Sequence, residues 1–267
     1  MEYIRGFEDR QAPVAKITIH LEGGYMRKIF LVMFLVGMLV MPAGIMAQNT
    51  LDEASALLDK DNDLDAYKKA VEICLDVVGA QSDSFEANWM TAKALRFYAD
   101  EAKKQQVDGW KDICKDYGKK GMGYAEKAIE IDSSKVEGHF WYGCCVGTYS
   151  DGVSILTALK EGLKDKTQNG FETSYAIDKM YNDAGPVLAI GRFWSVLPWP
   201  LKDKKKALDY IEEFKSYFPD KAEGQVYLGE AYLDVKEKEK AKAVLQKAAA
   251  SDEEYYRDWA LRLLADL

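Results

Sequence analysis

Residues 222–250 read AEGQVYLGEAYLDVKEKEKAKAVLQKAAA, and the spacing inside this stretch decides the architecture. Leu228, Gly229 and Tyr232 share one face of a helix expected over 222–235. Ala241, Leu245 and Ala248 share one face of a second helix expected over 238–250. Gly229 lets the partner helix cross closely, Ala241 answers it at the crossing, and the large apolar residues fill the space on either side. A third helix is expected over 252–265.

The same phase runs upstream. Tyr142-Gly143 repeats the large–Gly step, with Ile155, Leu159 and Gly162 expected on the second helix of that unit. Ile190-Gly191 repeats it again, completed by Ala207, Ile211, Phe214 and Pro219. Gly191 to Ala207 is 16 residues against 12 from Gly229 to Ala241, and Leu197-Pro198-Trp199-Pro200-Leu201 supplies the extra length. Ala125 and Ala128 close one earlier unit before Ser133, Trp89 with Ala92 open it, and Ala66, Ala70 and Ile73 suit the second helix before that. Between these anchors helices are expected over 51–58, 64–78, 86–104, 107–131, 136–149, 153–164 and 172–181. Breaks are expected near Gly121 and Gly123 and a loop over 165–170. A turn is expected over 182–185, with Pro186 opening the helix after it. Ser84 is placed to cap the helix at 86. No stretch alternates as a strand does, so the chain reads as all-α, a right-handed helical-hairpin solenoid of four to five degenerate units. A helical bundle without solenoid order is the competing architecture.

The series large–Gly, aromatic, Ala, Leu or aromatic, Ala resembles the tetratricopeptide repeat, whose unit spans about 34 residues. A narrower likeness lies in the middle of the chain. His139-Phe140-Trp141-Tyr142-Gly143 is followed by a long linker, by Ile190-Gly191, by the Pro-bracketed Trp199, and by Lys202-Asp203-Lys204-Lys205-Lys206 leading into Ala207. That order resembles the T component of TRAP transporters over about residues 60–250. The resemblance implies an exported homotrimer working beside a periplasmic solute-binding protein, with a cleft through each protomer as a ligand path. Many members are lipoproteins, and this chain has no lipobox cysteine, which puts a lipid tether in doubt.

The N-terminal segment fits export. Arg27-Lys28 precedes the apolar run 29–41, and Pro42 to Ala47 is rich in small residues, the pattern of a signal peptide over 26–47 cleaved before Gln48. The 13-residue run is short for a span, which needs about 20 residues. An uncleaved anchor is the alternative. Residues 1–25 fit no export signal and read as an extension ahead of a start at Met26, leaving 48–267 as the helical-repeat domain, exported to the periplasm or cell envelope. Removing the five basic and four acidic residues of 1–47 from 36 and 44 leaves 31 and 40, a net charge of −9. Such a surface repels nucleic acid, and no basic stripe offsets it. Cys74, Cys114, Cys144 and Cys145 permit a Cys74–Cys114 bridge, while the other reading is four small buried helix residues.

Chemistry has few candidates. His139 is the single histidine after the export segment, so neither a multi-histidine metal site nor a triad with a second base is available. His139 and Cys144, five apart on a helix, point away from each other. Asp61-Asn62-Asp63 lacks the rest of a calcium loop, and no phosphate-cradling motif occurs. The chain therefore reads as a binding protein and not an enzyme, with no metal and no cofactor. In a solenoid the first helices line the concave face. That register nominates Met90, Ala94 and Phe97, then Phe140, Cys144 and Thr148, then Leu188, Arg192 and Val196, then Val226, Glu230 and Leu233. Trp194 is a further candidate, and Trp199, between prolines, is a candidate interface or lid residue or else pins its loop. The apolar middle suits a small hydrophobic ligand or partner segment, and Arg192 suits a carboxylate. The function expected is an accessory to a TRAP-type transporter, with a general protein–protein scaffold of the envelope as the alternative.

Overall fold

Several helices begin where a side chain supplies a cap. In the computed structural model Asp63 accepts from the Ala66 N–H at 2.9 Å to open α2 (Leu64–Ala80). Ser84 accepts from Ala87 at 3.2 Å to open α3 (Phe85–Lys104), as its side chain suggests. The structure describes residues 43–60 and 62–267, with side chains from residue 50 onward. The expected extension and most of the export segment lie outside the described residues. The backbone of 43–47 belongs to α1 (Ala43–Leu58). Contacts group Ala47–Leu267 as one unit, and the following concerns that unit.

Further along come α4 (Trp110–Ile131), α5 (Val136–Gly152), the short α6 (Ile155–Lys160) and α7 (Leu163–Asp178). They are followed by α8 (Tyr181–Val196), α9 (Lys204–Tyr217), α10 (Ala222–Asp234), α11 (Lys238–Ala248) and α12 (Glu254–Ala265). The helices pair as antiparallel hairpins, α3 with α4, α5 with α7, α8 with α9 and α10 with α11, and each hairpin packs on the next. Leu51, Ala54 and Leu58 of α1 share a core with Tyr67, Ala70 and Cys74 of α2, which makes a first hairpin. Helix α12 caps the far end against α10 and α11. This is an all-α helical-hairpin solenoid of the tetratricopeptide kind.

The large–Gly steps sit where helices touch. A Cβ on Gly229 would come 2.5 Å from Leu245, and one on Gly191 would come 2.6 Å from Ile211. Leu228, Ala241, Leu245 and Ala248 are buried around the last crossing, and the Tyr232 hydroxyl reaches Glu212 at 2.7 Å. Phe214, fully buried at the preceding joint, contributes about 1.5–3 kcal/mol of hydrophobic stabilisation.

The middle unit differs from expectation. Gly143 does not meet Ile155, Leu159 or Gly162. Its Cβ position lies 2.6 Å from Phe171, and Gly170 faces it backbone to backbone. The partner of Gly143 is therefore α7, and α6 is an insertion. From crossing glycine to large partner the chain runs 16 residues for Gly229–Leu245, 20 for Gly191–Ile211 and 28 for Gly143–Phe171. The expected helix 153–164 ends early because Gly162 adopts a left-handed φ of 64°. The expected loop 165–170 is the first half of α7. Helix α4 is not broken at Gly121 or Gly123. Gly121 removes the side chain that would strike Cys145, so α5 packs directly on an intact helix. The turn near 182–185 is present, with Asn182, Asp183 and Ala184 in left-handed conformations before Pro186. All four cysteines are free thiols, three buried and Cys144 half-buried, so no Cys74–Cys114 bridge forms.

Candidate functional site: the interior wall of the repeat

First helices line the interior of the solenoid, and helical spacing sets a charged row on them. On α3, Lys93, Arg96, Asp100 and Lys104 follow one another at three- and four-residue intervals. Arg96 pairs with Asp100 at 2.9 Å, and Lys104 reaches the same carboxylate at 3.3 Å. Both Arg96 and Asp100 are walled by protein, yet their side chains keep 30% and 23% exposure, as expected inside a concavity that water enters. Burial alone disfavours charge on Asp100. Arg96 and then Lys104 outweigh it and hold the carboxyl below the usual range. Burial likewise opposes the Arg96 charge, and Asp100 more than restores it, helped at longer range by Glu223 of α10.

That last influence shows how far the solenoid curls. Glu223 accepts from the Tyr227 hydroxyl at 3.1 Å and is also bonded by Tyr256 of α12. Lys104 of α3 lies 5.4 Å from the Tyr255 ring centre. The second hairpin thus faces the last hairpin and its capping helix across the interior. Between them Arg192 of α8 donates to Glu230 at 2.5 Å. Its guanidinium lies 4.5 Å above the Tyr227 ring and 5.1 Å from that of Trp259. Burial drives the Tyr227 and Tyr256 phenols well above their ordinary pKa, so both stay neutral donors.

Nearer α5 the wall becomes apolar. Lys93 sits 5.5 Å from the Phe97 ring and 5.7 Å from Trp141, and burial pulls its pKa down. Trp141 Nε1 donates to the Tyr181 hydroxyl at 3.0 Å. Burial pushes the Cys144 thiol up to about 12, so it is no nucleophile at neutral pH. His139 Nε2 lies 3.0 Å from the Ser133 carbonyl oxygen. Among the described residues no group of three or more His, Cys, Asp or Glu is placed to hold a metal.

The nominated residues divide. Phe97, Cys144 and Arg192 belong to the interior wall, and Glu230 is the partner of Arg192. Met90, Phe140, Leu188 and Trp194 are buried in core clusters, as are Ala94 and Val226. Apart from Trp194, which keeps one ring face under Lys206, their apolar side chains turn to the helix–helix contacts. Trp199 is 90% exposed at the turn between α8 and α9. The corresponding turn between α5 and α7 carries α6, whose Ile155, Leu156 and Leu159 are all exposed. Sequence reasoning did not single out Arg96, Asp100, Lys104, Glu223, Tyr227, Tyr256 or Trp259. The available signal was the row of polar residues at three- and four-residue intervals on α3 and α10, which apolar patterning passes over.

Comparison with solved structures gives the fold independently. A thermophilic TPR protein from Thermus thermophilus superposes with a TM-score of 0.60 at 15% identity, over 82% of this chain and 99% of that one. A MamA protein matches at a TM-score of 0.45 and 16% identity, over 79% of this chain and 96% of that one. The TPR domain of P58(IPK) matches at 0.30 and 14%, over 83% and 66%. No curated protein gives a significant match. The family model described as regulator of microtubule dynamics protein 1-3 matches residues 50–193, from the middle of α1 through most of α8. That is more than half of the 267-residue chain. A repeat solenoid with this matched span belongs to the regulator of microtubule dynamics protein 1-3 family.

Proposed function

We propose that the chain is a protein–protein interaction scaffold that holds a segment of a partner along its interior wall. One observation carries the reading. The first helices, with the capping helix α12, place charged and aromatic side chains, Arg96, Asp100, Lys104, Arg192, Glu223 and Trp259, around one concavity. Aromatic and Arg side chains on rigid helices are the usual anchors of recognition. The fold relatives are tetratricopeptide proteins, which is in keeping with a scaffold and not with catalysis. Photo-crosslinking residues placed at Lys93 and Tyr255 on the wall, and at Lys242 on the outer helix α11, test it in the native host. Adducts of one defined mass from the two wall positions and none from Lys242 are expected. Equal labelling from Lys242, or no adduct from the wall, sinks the reading.

Finer readings have their own supports. A role beside a TRAP-type solute-binding protein rests on the residue order around 139–219 and the export-like N-terminus. It would give a homotrimer in native mass spectrometry and co-purification with a solute-binding protein. The family description points elsewhere, to regulation of microtubule dynamics, and co-sedimentation with assembled microtubules tests that. The scaffold reading stands ahead of both because it asks only for the wall itself.

A further inference from the structure

Outside the interior wall, α7, α8 and α9 frame an open recess of about 410 Å³, a volume in the range of small-molecule sites. Its walls combine two kinds of group. Trp194, Tyr175 and Tyr210 supply ring faces, and Glu172, Asp209 and Glu213 supply carboxylates. The two tyrosine rings meet edge to face at 5.7 Å. Burial, and secondarily the neighbouring carboxylates, raise both phenols above their ordinary pKa, so they remain neutral and their faces electron-rich. Burial works against the Glu213 charge, but Lys179, Tyr217 and Tyr175 bond it and hold its pKa below the usual range. The lining is aromatic and carries three carboxylates, of which Glu213 pairs with Lys179 and Asp209 with Lys205.

Lysines already stand over these rings, Lys164 at 5.7 Å from the centre of Trp194 and Lys179 at 5.8 Å from that of Tyr175, and Lys206 is the nearest. The Lys206 ammonium lies 4.3 Å over the centre of the Trp194 ring. Among the described residues Lys206 forms no ion pair, whereas its neighbour Lys205 pairs with Asp209 at 2.5 Å. The ring face therefore positions the Lys206 head, and its exposed, flexible stem lets it swing into water. A primary ammonium is strongly hydrated and gives up much to sit on a ring. An alkylated ammonium is weakly hydrated, and aromatic sites lined by carboxylates recognise it.

We propose that this recess binds a quaternary ammonium group, with Lys206 as an internal stand-in that the ligand displaces. Calorimetric titration of the full chain with tetramethylammonium chloride, against sodium chloride at equal ionic strength, tests it. Saturable binding is expected in the wild type. Lys206→Ala should tighten it by about five- to tenfold, the weight of one competing cation–π contact. Glu172→Gln with Asp209→Asn should weaken it at least about fivefold, and both side chains are exposed, so this variant keeps the fold. Tyr210→Leu should weaken it further. A trimethyllysine peptide and phosphocholine separate the sources. Tighter binding of the first than of tetramethylammonium identifies a protein side chain, tighter binding of the second a lipid headgroup, and neither a free small cation. Absence of saturable binding in both wild type and Lys206→Ala, or an affinity unmoved by all these substitutions, overturns the proposal.

Discussion

Arg192 Nη1 donates to Glu230 Oε2 across 2.5 Å, tying the first helices of two successive hairpins together. Both side chains are less than one-third exposed, so the pair is screened less than a surface ion pair. Its loss by Arg192→Ala leaves Glu230 facing the aromatic wall without a partner. The expected cost is about 2 kcal/mol, or about 4–8 °C in Tm for a unit of this size. Arg192→Lys should recover only part of it, because an ammonium keeps the charge and loses the planar stack on Tyr227 and Trp259. Thermal melts of the two variants check this, and a full rescue by lysine would show that stacking contributes nothing.

Gly143 and Gly147 lie one turn apart on α5 and should respond to alanine with opposite signs. A Cβ at 143 would press on Phe171 at 2.6 Å, with Gly170 directly behind. Overpacking of this kind costs about 1–3 kcal/mol. A Cβ at 147 meets nothing within 4 Å, so Gly147→Ala gains helix propensity worth about 1 kcal/mol. Urea unfolding of the two variants reads the difference. Equal effects would mean that α7 is not the helix packed on Gly143.

The phase of the repeat was legible because close helix crossings demand small residues, and Gly143, Gly191 and Gly229 all lie at such crossings. The second helix at Gly143 was misplaced for a local reason. Helix α7 turns Thr167 and Gly170 inward besides Leu163 and Phe171, so its buried face carries too little apolar signal to show a helical period. Helix α6 carries Ile155, Leu156 and Leu159 and yet buries none of them. The wall was hidden for a different reason. Arg192 finds its carboxylate 38 positions away, and Arg96 feels one on α10. No local window contains either partner, and a search for apolar groove residues leads to side chains such as Met90 and Leu188 that the core takes up.

Acid should unfold the chain partly through Asp100. Arg96 and Lys104 hold its folded pKa below the ordinary carboxylate value, against the opposing effect of burial. An unfolded Asp titrates near about 3.9. A depressed folded pKa means that the unfolded chain takes up the proton first as pH falls. The stabilisation is therefore complete above the unfolded value and is lost as pH drops through the folded one. Asp100→Asn should lower stability at pH 6 and flatten its decline between pH 5 and pH 3. Urea midpoints across that range measure the slope, and identical slopes in variant and wild type would remove Asp100 from the acid limb.

Thiol chemistry checks the cysteine assignment. Burial, partly countered by Lys93, pushes Cys74 up to about 12, and burial again, more than nearby Asp151, pushes Cys114 up to about 11. Little thiolate exists at pH 8, and the sulfurs are largely covered. Disulfide reagent should therefore react slowly with the native chain. After unfolding without reductant it should count four thiols. A count of two would restore a bridge, with Cys74 and Cys114 as the first pair to map.

Two tryptophans five residues apart should separate structure from surface. Trp194 is 7% exposed within the central cluster, whereas Trp199 is 90% exposed on the turn that lengthens its hairpin. Trp194→Ala opens a large cavity at an expected cost of about 3–5 kcal/mol. Trp199→Ala removes a side chain that the fold barely touches and should change stability by no more than about 0.5 kcal/mol. Its ring should also be the most readily quenched by iodide, so the Trp199→Ala variant loses most of the quenchable emission. The Trp199 side chain then contributes nothing to holding its loop, and its apolar surface, like that of the exposed Leu156, is left for contact with another molecule. A destabilisation of Trp199→Ala beyond about 1.5 kcal/mol would instead mean that the tryptophan pins the loop to the body of the repeat.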